Sequence, residues 1–129
     1  MKREARIKAM QILYTMDFNG VDIDTAIKNS MEEEQGDTLA IELAKFCHEH
    51  KSQIDEIICN ALKNYTIERL NLVDKAIIRL AVSEMFGKAP RQVIINEALE
   101  ITKLYSDQGD HKATSFNNRL LDTISKNLK

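Results

Sequence analysis

Val73-Asp74-Lys75-Ala76-Ile77-Ile78-Arg79-Leu80-Ala81-Val82-Ser83-Glu84-Met85-Phe86 places apolar side chains around most of a helical circumference. Only Lys75, Arg79 and Ser83 form a narrow polar stripe at a spacing of about 100° per residue. A helix that is apolar nearly all round lies at the centre of a bundle, with other helices covering it. Asp74 and Glu84 interrupt the apolar side, so if buried they need partners, and a structural ion pair is a better reading than a catalytic acid.

The segments on either side supply the covering layer. The first helix runs from about Arg3 to Phe18 and stops at Asn19-Gly20. The second starts near Asp22 or Asp24, carries Ala26, Ile27 and Met31, and leads into the acidic run Glu32-Glu33-Glu34 before Gln35-Gly36-Asp37 breaks it. A third spans about Thr38 to His50 with Leu39, Ile41, Leu43, Ala44 and Phe46. The fourth begins at Ser52, which faces Asp55 in a capping-box-like spacing, and reaches about Tyr65. Thr66 to Leu70 reads as a short helical turn, and the central helix then ends at Gly87. Pro90 opens a broadly apolar sixth helix, from Val93 through Ile95 and Ile101 to Leu104, that runs to about Tyr105. The last, Lys112 to about Asn127, turns Phe116, Leu120, Leu121, Ile124 and Leu128 inward. Period-2 alternation is almost absent. The expected fold is all-α, about seven helices in one domain over 1–129, with an N-terminal half to about residue 65 and a C-terminal half from about 66.

Composition narrows the function. The chain has 129 residues, 43% of them hydrophobic and 29% charged, an ordinary globular mixture. Its longest apolar runs fall far short of the ~20 residues a membrane span needs, and no signal-like opening is present, so a cytoplasmic protein with two reduced thiols, Cys47 and Cys59, is expected. The net charge of −2 is unevenly spread. Residues 1–20 carry four bases against two acids, 21–60 three against ten, and 61–129 eleven against eight. A local basic patch, felt over a Debye length of ~8 Å, can still receive a polyanion, although indiscriminate nucleic-acid binding is disfavoured.

Several chemistries drop out. No two glycines lie close enough for a phosphate-cradling loop, and no histidine has a Glu three residues before it, as carboxylate-bridged di-iron bundles require. Cys47-His48-Glu49-His50 with Cys59 lacks the paired spacing that closes a zinc site. No nucleophile–base signature is visible, so neither enzyme, metal nor cofactor is expected. The first helix offers something else. Arg3, Arg6, Met10 and Tyr14 fall within about 80° of one another, beside a core stripe of Ala5, Ala9, Ile12, Leu13 and Met16. Guanidiniums that neutralise phosphates, with a ring that stacks on an unpaired base, are what single-stranded RNA recognition uses. On periodicity alone a solvated basic start with Tyr14 at the core edge is the better reading, because a short basic stretch is a weak signal.

The residues themselves add a resemblance. Arg3, Arg6, Ala9 and Gln11-Ile12-Leu13-Tyr14 resemble the opening of the NusB family of transcription antitermination factors. Val73 to Ala81 with Glu84-Met85 is similar to that family's central helix, and Pro90 with Val93-Ile94-Ile95-Asn96-Glu97-Ala98-Leu99-Glu100-Ile101-Thr102-Lys103 to its Asn-Glu-Ala segment. Ser115 to Asp122 matches its last helix in part, with Asn117 where the family has Val and Arg119 where it has Gly. The resemblance implies two three-helix bundles in a monomer or homodimer, and a non-catalytic adaptor. With the small-subunit ribosomal protein NusE, such an adaptor binds single-stranded boxA RNA and joins the RNA polymerase antitermination complex on ribosomal RNA operons. It further implies an RNA surface of Arg3, Arg6, Tyr14, Lys112 and Phe116, with Lys2 and Lys8 added on charge and Arg119 as a compensating cation. The protein partner is expected on Glu84 and the exposed side of the fifth helix, Lys75 and Arg79. Two rivals stand beside it: a protein–protein adaptor without RNA contact, and the N-terminal part of a ribosomal RNA cytosine methyltransferase.

Overall fold

The computed structural model describes residues 3–30, 38–63 and 66–128. They form seven α-helices and no strand: α1 Arg3–Asn19, α2 Ile23–Ser30, α3 Thr38–Glu49, α4 Lys51–Ala61, α5 Leu72–Glu84, α6 Arg91–Tyr105 and α7 Lys112–Leu128, with a 3₁₀ turn at Ile67–Arg69. Local chemistry sets the ends. Gly20 takes φ +66° and lets the Val21 N–H donate back to the Met16 carbonyl, closing α1. Asp22 caps α2 by accepting from the Thr25 N–H at 2.9 Å, which holds its carboxyl below the usual range. Asn71 caps α5 through the Asp74 N–H at 2.8 Å.

Four boundaries differ from expectation, one being the end of α4, which closes at Ala61 and not near Tyr65 because Leu62 turns extended. α4 starts at Lys51 without a side-chain cap, and Asp55, the expected partner of Ser52, bonds Arg79 instead. α5 ends at Glu84, and Pro90 sits just outside the first turn of α6. The acidic run and its breaker lie outside the described residues.

α5 occupies the centre. α1, α3, α4, α6 and α7 all pack on it, α1 also against α2 and α3, and α6 against α7. Ile12, Ile54, Ile58, Ile78, Ile94, Leu121 and Ile124 are fully buried in one continuous cluster that draws on both ends of the chain. Two of the three residues in the polar stripe expected on α5 are not wet. Ser83 is buried and donates to the Leu80 carbonyl at 2.7 Å. Arg79 is also buried and donates to Asp55 on α4, at 2.8 and 2.9 Å, and to Asp17 on α1 at 3.1 Å. The stripe faces two helices that each present a carboxylate, so it joins them through charge-assisted hydrogen bonds. Conversely Leu39, Phe46, Val93 and Leu104 lie at the surface of α3 and α6. No described helix is long and apolar enough to cross a membrane.

Candidate nucleic-acid interface

The entry to α7 is shaped by one carboxylate. Asp107 Oδ1 accepts from the Gly109 and His111 N–H groups at 2.9 and 3.0 Å, and Oδ2 from the Thr114 hydroxyl at 2.6 Å and N–H at 3.3 Å. These donors, the Thr114 hydroxyl first, hold the Asp107 carboxyl down at about 2. The wrapped loop keeps Gly109 and His111 at φ +94° and +62°, a left-handed conformation that costs a histidine energy and that the Asp107 bonds over-determine. Asp110 Oδ1 then accepts from the Lys112 N–H at 3.0 Å, and α7 begins.

Lys112, Phe116 and Arg119 stand at i, i+4 and i+7 and share one helix face. That face forms one wall of a groove of about 550 Å³, and Arg69, Leu70 and Asn71 at the start of α5 form the other. Three cations, Arg69, Lys112 and Arg119, line it with the half-buried Phe116 ring. Asp74 lines its floor but is buried and engaged, accepting from the Ser106 hydroxyl at 2.7 Å and the Asn117 amide at 3.1 Å. Asn117 also donates to Thr102 at 3.1 Å, so this buried amide ties α5, α6 and α7 beneath the groove, its own Oδ1 left without a partner. Arg69 was not singled out from the sequence, because a cation in a short turn has no periodicity to mark it. Asn117, a polar residue in an amphipathic helix, carries no such mark either. Its buried side follows from α6 and α5 both covering that edge of α7.

The α1 residues lie elsewhere. Arg6 was expected on the RNA surface, yet its side chain is 3% exposed and donates to Glu84, itself 6% exposed, at 2.9, 2.9 and 3.2 Å. The cause is the packing of α1 directly on α5, which carries the stripe of Arg6 and Met10 inward instead of leaving it wet. Glu84 and Arg79, expected to meet a protein partner, are consumed in these internal bonds; of that set only the half-buried Lys75 reaches the surface. Arg3 is half exposed and gripped by Glu97 at 2.8 and 3.2 Å, which raises the guanidinium pKa and lowers that of the carboxyl. Lys8 is exposed. Tyr14 is half-buried and stacks on Phe18, centroids 5.5 Å apart and planes at 11°. Lys2 is outside the described residues. Arg6 meets the C-terminal end of α5 and the groove meets its N-terminal end, so the 13 residues of α5, about 20 Å, separate them. Arg6 and the α7 residues are therefore in two places, and the α7 residues line a groove in which several cations meet.

Comparison with known proteins places this architecture. Residues 3–126 match the NusB family. The transcription antitermination protein NusB of Listeria innocua is 41% identical over 126 residues, 96% of this chain and 95% of the relative. That of Bacillus subtilis strain 168 is 37% identical, covering 99% and 97%. A crystal structure of NusB and NusE in complex with dsRNA superposes with a TM-score of 0.84 at 28% identity, covering 97% of this chain and 96% of the other. Thermotoga maritima NusB gives the same score and identity over 96% and 89%. With five helices packed on a buried α5 among the described residues and a match that spans nearly its whole length, the chain belongs to the NusB family.

Proposed function

We propose that this chain is a non-catalytic transcription antitermination protein that holds single-stranded, boxA-type RNA in the groove between the start of α5 and the start of α7. The observation that carries the reading is the convergence of Arg69, Lys112 and Arg119 around the Phe116 ring. Three cations address phosphates, which sets affinity and orientation, while the ring stacks on an unpaired base, which favours a single strand. Arg3 and Lys8, on α1 and outside the groove's lining, act as an outlying electrostatic fringe, and Arg3 contacts phosphate only in competition with Glu97. Lys75 remains the one candidate of the earlier set for a contact to a ribosomal-protein partner of the NusE kind, by analogy with the NusB–NusE complex, and the pair enters the RNA polymerase assembly together. Support for the partnership comes from that solved complex and from the relatives' role.

A gel shift with boxA-type RNA, with and without NusE, tests the proposal. Retention of the RNA, strengthened by the ribosomal protein and weakened by salt, is expected. A protein that binds the ribosomal protein but leaves the RNA unshifted in both lanes would be an adaptor without RNA contact.

A further inference from the structure

The Phe116–Arg119 ridge has a second side. Beyond it, between the end of α4 and the next turns of α7, lies another groove of about 430 Å³ to which Leu62, Lys63, Leu120 and Thr123 contribute together with Phe116 and Arg119. Phe116 and Arg119 therefore belong to both grooves. We propose that this second groove is a further nucleotide-binding site, which takes the continuation of the same ribonucleotide strand after it passes over the ridge. The inference rests on the RNA reading above and extends it.

Charge, shape and continuity each support this occupant. Among the described residues the groove's lining includes two cations, Lys63 and Arg119, and no acidic residue, so it favours a polyanion over a neutral or cationic partner. Its volume lies within the range of sites that enclose small organic groups, and its apolar lining with the Phe116 ring suits the face of a base. Thr123 adds a hydroxyl that both donates and accepts, as a ribose 2′-OH or a base edge requires. Lys112, Phe116, Arg119 and Thr123 follow one another at i, i+4, i+7 and i+11, a stripe roughly 16 Å long down α7 that runs through both grooves. Arg119 is central to this arrangement. It stands where the resemblance has Gly, and its side chain makes the shared boundary that a glycine would leave open.

Strand length separates the two sites. Fluorescence anisotropy would compare boxA-type ribo-oligonucleotides of about four and about twelve nucleotides on the wild type, Lys63→Gln and Lys112→Gln. Lys112→Gln is expected to weaken both strands. Lys63→Gln is expected to leave the short strand unchanged and to weaken the long one, lowering its slope of log K against log salt by roughly 0.7, the value for one single-strand phosphate contact. Equal effects of Lys63→Gln on both lengths, or none on either, would overturn the second site while leaving the first standing. A Lys63→Gln defect confined to binding of the ribosomal protein would assign the groove to a protein instead. Wild-type protein that binds neither strand would remove the first reading along with this one.

Discussion

Arg6→Ala separates a structural cation from an RNA-binding one. Arg6 and Glu84 are almost fully enclosed and joined by three hydrogen bonds between 2.9 and 3.2 Å. Removing the guanidinium leaves a buried carboxylate without its counter-charge, a loss of about 3–5 kcal/mol. A domain of this size has about 5–15 kcal/mol in all, so the variant should remain folded but close to its limit. At about 4 °C per kcal/mol, the melting temperature should fall by about 12–20 °C. Urea unfolding followed by circular dichroism gives the free energy, and calorimetry gives the midpoint. Replacing both partners by apolar residues, Arg6→Met with Glu84→Leu, should recover most of the loss, because no charge is then left buried. At a temperature where the single variant is folded, its salt slope for RNA should equal the wild type's. An Arg6→Ala protein within ~0.5 kcal/mol of wild type whose slope nonetheless drops by roughly 0.7 would refute the reasoning and return Arg6 to the surface.

Three further outcomes follow from the same structure. Arg79→Ala, which unlinks Asp55 and Asp17 from α5, should cost about 2–3 kcal/mol in urea unfolding, less than Arg6→Ala because both carboxylates are partly exposed; an unchanged midpoint would make the bonds incidental. Asp107 has a folded pKa of about 2, below its unfolded value, so its contribution is present above pH ~4 and is lost as pH falls toward the folded value. An acid titration of stability should show that loss in the wild type and a flatter curve in Asp107→Asn, and coincident curves would dismiss the loop's dependence on this carboxylate. Burial pushes the Cys47 thiol up to about 12 whereas Cys59 is exposed, so a thiol reagent at neutral pH should label Cys59 in the native protein and both residues in urea. Rapid native labelling of Cys47 would contradict its packing.

Helix number, the central position of α5, the stop at Gly20 and the start at Asp22 were legible because they depend on local patterns: apolar periodicity, a left-handed glycine and a capping carboxylate. The fates of Arg6, Arg79 and Glu84 were not. A helical wheel shows which residues share a side, but not that a neighbour covers that side. Arg6 finds its partner 78 residues away and Arg79 finds one 62 residues away. The expectation that Glu84 needs an ion pair was sound, and the same burial removes it from any docking role. Lys112 could be named only through family resemblance, since one lysine in an amphipathic helix carries no signal of its own, while Phe116 at the edge of the apolar stripe of α7 suits the core as well as a base. The groove they share with Arg69 depends on the α6–α7 loop, whose fold is set by the four hydrogen bonds to Asp107.

The salt dependence of boxA RNA binding to the doubly substituted Lys112→Gln, Arg119→Gln protein bears most directly on where the RNA lies. Loss of two single-strand phosphate contacts should lower the slope of log K against log salt by about 1.4, while Lys8→Gln on α1 should change it far less. An unaltered slope in the double variant, with a clear drop in Lys8→Gln, would place the strand on α1 and contradict the assignment of the α7 groove.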